Sequence, residues 1–186
     1  EPARGMKPTP AELEAARDRT IPDVVGEGLE VLFSGINPGL WSAATGFHFA
    51  RPGNRFWPTL HRSGFTPRQL RPDEQWDLLD LGVGITNVAA RATARADELT
   101  RDELVRGGEI LREKVRRLRP TWLAVVGIGA YRTGFGRPDA MVGPQAESLG
   151  ETRVWVLPNP SGLNAHWPAP ALAEEFGRLR EAATLL

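Results

Sequence analysis

The chain has 186 residues, 41% of them hydrophobic, which suits one compact domain with an adequate core. Its 23 basic and 23 acidic residues balance to a net charge of zero, so it is no histone-like polycation, and contact with DNA would need a local basic face. The absence of cysteine excludes disulfides, cysteine nucleophiles and iron–sulfur clusters, and no apolar run reaches the roughly 18 residues of a membrane span.

Residues 1–20 read as a lead-in, flexible over 1–9 and helical over 11–18, ending at Ile21-Pro22. This stretch is polar and charged and lacks the apolar core of a secretory signal, so a cytoplasmic location is expected. Residues 21–186 show no repeat and no long linker and read as one domain.

Four segments have buried-strand character: Glu30–Ser34, Gly84–Val88, Trp122–Val126 and Thr152–Leu157. The first, third and fourth are continuously apolar at their centres, as strands covered on both faces are. Helices are predicted to start near Asn54, Asp73, Ile128 and Ala169. The clearest helix runs from about Arg101 to Leu118. Thr100 and Glu103 form a capping-box pattern before it, Leu104, Leu111, Val115 and Leu118 share one face, and Pro120 stops it. Its arginines read as a solvated surface. Strands alternating with helices imply an α/β fold with a mainly parallel sheet, and ligands then bind beyond the carboxyl ends of the strands.

That rule directs attention to particular loops. After the first strand comes Gly35-Ile36-Asn37-Pro38-Gly39-Leu40, a tight path whose one polar side chain is Asn37. An amide held there can orient a water or grip an amide-like ring. A plain turn is an equally good reading of this loop alone. Next, Thr45 to Trp57 carries Phe47, Phe49, Phe56 and Trp57 around His48, interleaved with Arg51 and Arg55. A base-binding pocket wants a flat aromatic face, since stacking is worth about 1–3 kcal/mol per base. Phe56 and Trp57 read as core, and Asn54 as a cap for the following helix. After the last strand comes Pro158-Asn159-Pro160-Ser161-Gly162-Leu163-Asn164-Ala165-His166-Trp167. A leucine at the tip of a rigid polar loop is suited to wedging into a base stack, or else packs beneath the loop as core. His48, His61 and His166 follow no metal-ligand spacing, so no metal and no cofactor are expected. No Walker-type or GxGxxG fingerprint follows a strand, which argues against a nucleotide-binding protein.

Together these segments resemble the mismatch-specific uracil- and thymine-DNA glycosylases, the branch that holds the bacterial mismatch-specific and vertebrate thymine-acting enzymes. The matching pieces are Gly35 to Leu40, Gly46 to Trp57, Gly84-Ile85-Thr86-Asn87, and Val154 to Leu163. The resemblance implies a three-layer α/β/α sandwich around a mainly parallel sheet of four to five strands. It implies a monomer that flips a base out of double-stranded DNA carrying uracil mismatches and hydrolyses its N-glycosidic bond. Carried over by position, Asn37 matches the amide that places the attacking water, and Phe49 the aromatic that stacks on the flipped base. Ile36, Gly39, Ser42 and Asn159 match pocket positions. Ser161, Gly162, Leu163, Asn164 and His166 fall in the DNA insertion loop, with Leu163 the wedge. Three positions depart from bacterial relatives: Asn87 replaces a basic residue, Ala90 an acidic one, and Asn164-Ala165 a Ser-Arg pair.

Glycosylases that also nick DNA use an amine to form a Schiff base. The only lysines are Lys7, in the lead-in, and Lys114, mid-helix and distant in sequence from every motif. A monofunctional enzyme is therefore expected, with its range of bases left open among uracil, thymine, ethenocytosine and hypoxanthine.

Overall fold

The computed structural model describes residues 7–184; of the flexible stretch expected over residues 1–9, residues 1–6 lie outside them. Helix α1, Pro10–Ala15, opens on a full capping box between Thr9 and Glu12. It does not trail from the domain. Ala16 is fully buried with Ala43 and Ala92 in a small apolar cluster, and the Asp18 amide donates to the Ala92 carbonyl.

Five strands form one sheet: β1 Val31–Gly35, β2 Val83–Asn87, β3 Trp122–Val126, β4 Gly143–Leu149 and β5 Thr152–Leu157. Their order is β2-β1-β3-β5-β4, parallel except for β4 against β5. The four parallel strands are apolar and almost wholly buried, because helices cover both faces of the sheet. On one face α3, Phe56–Arg62, and α6, Ala169–Thr184, pack Phe56, Leu60, Phe176 and Leu179 onto Phe33, Ile85 and Leu157. On the other, α4, Arg101–Leu118, and α5, Ile128–Gly134, pack Leu111, Val115 and Tyr131 onto Leu32, Leu123 and Val156. This is an α/β/α sandwich.

The sequence did not announce β4. Its interior is Pro144, Gln145, Ala146, Glu147 and Ser148, with only the two ends buried. It is held at the sheet edge by pairing with the apolar β5, through a register shift between Pro144 and Ser148. Helix α2, Leu40–Thr45, was also hidden; it is six residues long and bounded by Gly39 and a left-handed Gly46. The helix expected near Asp73 is a 3₁₀ run over Pro72–Leu81.

The chain leaves β1 towards the α3 face and leaves β3 towards the α4 face. The parting of these connections between two adjacent strands opens a crevice at the carboxyl edge of the sheet.

Candidate active site

A cavity of about 490 Å³ fills that crevice. Its wall includes Ile36, Asn37 and Gly39 after β1, Asn87 at the end of β2, Val126 at the end of β3, and Asn159 and Ser161 after β5. Leu13 and Ile21 complete it from the N-terminal side.

The first loop is an extension of the sheet. The amides of Val88, Ala89 and Thr93 donate to the carbonyls of Gly35, Ile36 and Pro38 at 2.9, 2.8 and 3.1 Å. A strap over residues 88–93 therefore runs beside the loop and pins it. The strap also fixes the Asn37 side chain. Its Nδ2 donates to the Arg91 carbonyl at 2.9 Å and to Thr93 Oγ1 at 2.8 Å. A main-chain carbonyl only accepts, so the NH₂ end must face it. The Thr93 hydroxyl gives its own proton to the Arg95 carbonyl at 2.7 Å, and so accepts from Asn37. Both amide hydrogens are committed, and Oδ1 is the atom left for the cavity.

The strap is braced in turn. Arg91 meets both oxygens of Glu103, at 2.7 and 2.9 Å, and reaches Asp18 at 3.0 Å. The Arg91 hydrogen bonds hold the Glu103 carboxyl down at about 2.

The aromatic wall is bent into place. Phe49 has φ of 52°, a left-handed backbone costing a non-glycine residue about 1–2 kcal/mol. Three contacts hold the bend. Ser42 Oγ accepts from the Ala50 amide at 3.2 Å, Gln75 Oε1 accepts from the His48 amide at 2.8 Å, and Trp57 Nε1 donates to the His48 carbonyl at 2.9 Å. The ring stacks on Phe56, with centroids 4.1 Å apart and planes 22° apart, and it lines the cavity. Gly35 makes this approach possible. A Cβ there would lie 2.6 Å from Asn87 Oδ1 and 3.1 Å from Phe49 Cζ. Burial pushes the His48 imidazole below its ordinary pKa, and the Lys114 ammonium adds to that; the Pro22 carbonyl, 2.9 Å from Nε2, and Asp23 oppose it.

The last loop is built differently. Asn159 Oδ1 accepts from the Ser161 amide at 2.9 Å, and Ser161 Oγ from the Leu163 amide at 3.2 Å. Asn164 Nδ2 donates to the Asn159 carbonyl at 3.0 Å, and Asn164 Oδ1 accepts from the His166 amide at 3.3 Å. Gly162 is seated so closely that a Cβ would lie 2.6 Å from the Gly53 carbonyl oxygen. At the tip, Leu163 is 81% exposed, so it is not a core residue. His166 is exposed as well.

Of the residues singled out from sequence, Ile36, Asn37, Gly39, Ser42, Phe49, Asn159 and Ser161 line the cavity. Gly162, Leu163, Asn164 and His166 share the last loop but stand outside the lining. Phe56 and Trp57 are core, and Asn54 Oδ1 accepts from the Phe56 amide at 2.9 Å, at the start of α3. Sequence reasoning passed over Thr93, whose role depends on a contact 56 residues away, and the fixing of Arg55 beneath the last loop. Asn87, which ends a matching segment and departs from bacterial relatives, is given no role by the sequence, yet it lines the cavity beside Phe49. Lys114 is not remote: its Nζ lies 2.6 Å from Asp23 Oδ2 and 2.9 Å from Thr86 Oγ1. Among the described residues no cluster of three or more His, Asp or Glu side chains is placed to hold a metal ion.

A crevice with a flat ring on one wall and fixed amides on the others takes a planar, hydrogen-bonding ligand such as a nucleobase. The family comparison agrees with that class. Residues 22–181 match the model of the uracil DNA glycosylase superfamily, and the chain belongs to it. The fold is shared with a solution NMR structure from Methanosarcina acetivorans, of a protein provisionally described as a uracil DNA glycosylase. The two are 18% identical, with a TM-score of 0.58, over 88% of this chain and 98% of that one. Membership makes the chain a DNA glycosylase, a hydrolase of N-glycosyl bonds.

Proposed function

We propose that the protein is a monofunctional, mismatch-directed uracil-DNA glycosylase. It flips uracil from double-stranded DNA, cleaves the glycosidic bond and leaves an abasic site. The observation that carries this reading is the Asn37 amide, with both hydrogens committed to Arg91 and Thr93 and Oδ1 left for the cavity. A fixed carbonyl oxygen accepts a hydrogen bond from a water and aims it. An amide does not titrate usefully, so it is no general base. The water must meet a sugar whose bond to the base is already far towards breaking. Positioning and fixed dipoles, not proton abstraction, then supply the catalysis.

Phe49 offers its ring to the flipped base. Asn87, with a donor and an acceptor on one amide, suits the edge of a pyrimidine. Leu163 fills the space that the base vacates. Extruding a nucleotide costs about a few kcal/mol, and less from a mismatch, so part of the mismatch preference comes from the DNA itself. Asn164 spends its amide inside the loop, which leaves the exposed His166 to face the opposite base. Lys114 is held by Asp23 and Thr86 and does not line the cavity, in keeping with no Schiff-base step.

The test is a duplex with one uracil opposite guanine, incubated with the protein and resolved on a gel with and without alkali. A strand break that appears only after alkali is expected. No break defeats the reading. A break without alkali, or a borohydride-trapped complex, defeats its monofunctional part. The same duplex carrying thymine, ethenocytosine or hypoxanthine, and the single strand, define the substrate range.

A further inference from the structure

Arg55 is a cation whose charge is turned inward. It belongs to the aromatic segment by sequence, and a surface arginine there would be taken for a phosphate contact. Instead its guanidinium meets main-chain carbonyls of the last loop. Nη2 donates to Ser161 at 2.9 Å and to Asn164 at 3.2 Å, Nε lies 3.4 Å from the Pro160 carbonyl, and Nη1 donates to that of Trp167. The Arg55 amide adds a bond to the Pro160 carbonyl at 3.0 Å. One side chain thus gathers carbonyls from both limbs of a loop whose tip is Leu163. The planar fork of an arginine can do this; a point charge such as an ammonium cannot reach all of them at once.

We propose that Arg55 is a positioning residue that holds the 158–167 loop in its insertion-ready shape and couples that loop to the base-stacking ring. The coupling follows from the chain itself. Arg55 immediately precedes Phe56, and Phe56 stacks on Phe49. The Gly162 contact with the Gly53 carbonyl is a second seat of the same loop on the same segment. Pocket and wedge are therefore mounted on one rigid piece. Without the clamp, the loop would have to be ordered during DNA binding, at an entropic cost that the clamp removes in advance. The inference rests on the insertion role proposed for Leu163, but the clamp itself can be tested without DNA.

Two measurements separate these layers. In the free protein, hydrogen exchange is compared between wild type, Arg55→Met and Arg55→Lys. Amides of residues 161–167 should exchange about tenfold faster in Arg55→Met, with Arg55→Lys between the two and α4 unchanged. Unchanged exchange in the loop overturns the clamp, whatever the enzyme acts on. If Arg55→Met fails to fold, Arg55→Lys carries the comparison. On uracil duplex, Arg55→Met, Leu163→Ala and the double variant form a cycle. A residue acting through the wedge gives a double variant about as slow as the slower single variant. Multiplying losses overturn the positioning role. A faster-exchanging loop in a protein that cleaves no uracil DNA would leave the clamp standing and defeat the functional reading instead.

Discussion

The two loops that frame the cavity are held by opposite means. The loop after β1 is an extension of the sheet: a strap from β2 runs beside it, and its one polar side chain is fixed by atoms more than fifty residues away. The loop after β5 holds itself, through Asn159, Ser161 and Asn164 closing on its own backbone, and through Arg55 beneath it. The first is rigid because its surroundings are. The second projects from the surface and is held by its own side chains together with one arginine beneath it. Under the proposed function this is a division of labour, with bond-breaking assigned to the loop tied into the sheet and DNA distortion to the loop that reaches outward.

If this division is right, the sharpest loss comes from the first loop. Asn37→Ala should lower turnover on uracil duplex by about two to three orders of magnitude, the range found when a preorganised polar group is removed from a transition state. Its DNA affinity, measured by fluorescence anisotropy, should change by no more than about twofold. Wild-type cleavage would remove Asn37 from the chemistry altogether. Leu163→Ala comes next. Losing two or three buried methylene groups at about 0.8 kcal/mol each predicts roughly a fifteen- to sixtyfold loss on duplex. Cleavage of single-stranded uracil DNA, which has no stack to fill, should fall much less; equal losses on the two substrates would deny the wedge.

A smaller effect tests the support of the amide. Thr93→Val removes one acceptor of the Asn37 NH₂. It should cost about 1 kcal/mol, a roughly fivefold drop in kcat with KM unchanged, while Thr93→Ser stays close to wild type. A rise in KM instead would place Thr93 in substrate binding. The smallest effect is one of pH. His48 is held neutral by burial, with the Lys114 ammonium adding to it. Below about 6.5 the unfolded chain takes up a proton that the native state resists. Stability to urea should therefore fall as pH drops from 7.5 to 5.5, and His48→Gln should flatten that slope. An unchanged slope would mean that the imidazole titrates alike in both states.

Much of this was legible in the sequence because it is local. Apolar runs marked the parallel strands, Thr100 with Glu103 marked α4, and the two loops stood out by their Gly, Pro and Asn content. What was not legible is non-local. β4 has no strand composition and exists because β5 offers it an edge. Nothing about Arg55 distinguishes a clamp from a DNA contact until residues 160–167 are folded over it. The Asn37 loop read equally well as a plain turn on its own. The contacts that orient its amide come from Arg91 and Thr93, more than fifty residues on.

The two asparagines that lead these loops, Asn37 and Asn159, share a neighbour type: each is followed by proline. Asparagine ages when the backbone nitrogen of the next residue attacks the side-chain carbonyl, closing a succinimide that opens to aspartate or isoaspartate. That route needs an N–H, which proline lacks. The rigid Asn-Pro turns are thus also shielded from spontaneous deamidation, and a protein stored for long periods should keep both amides intact while other asparagines convert.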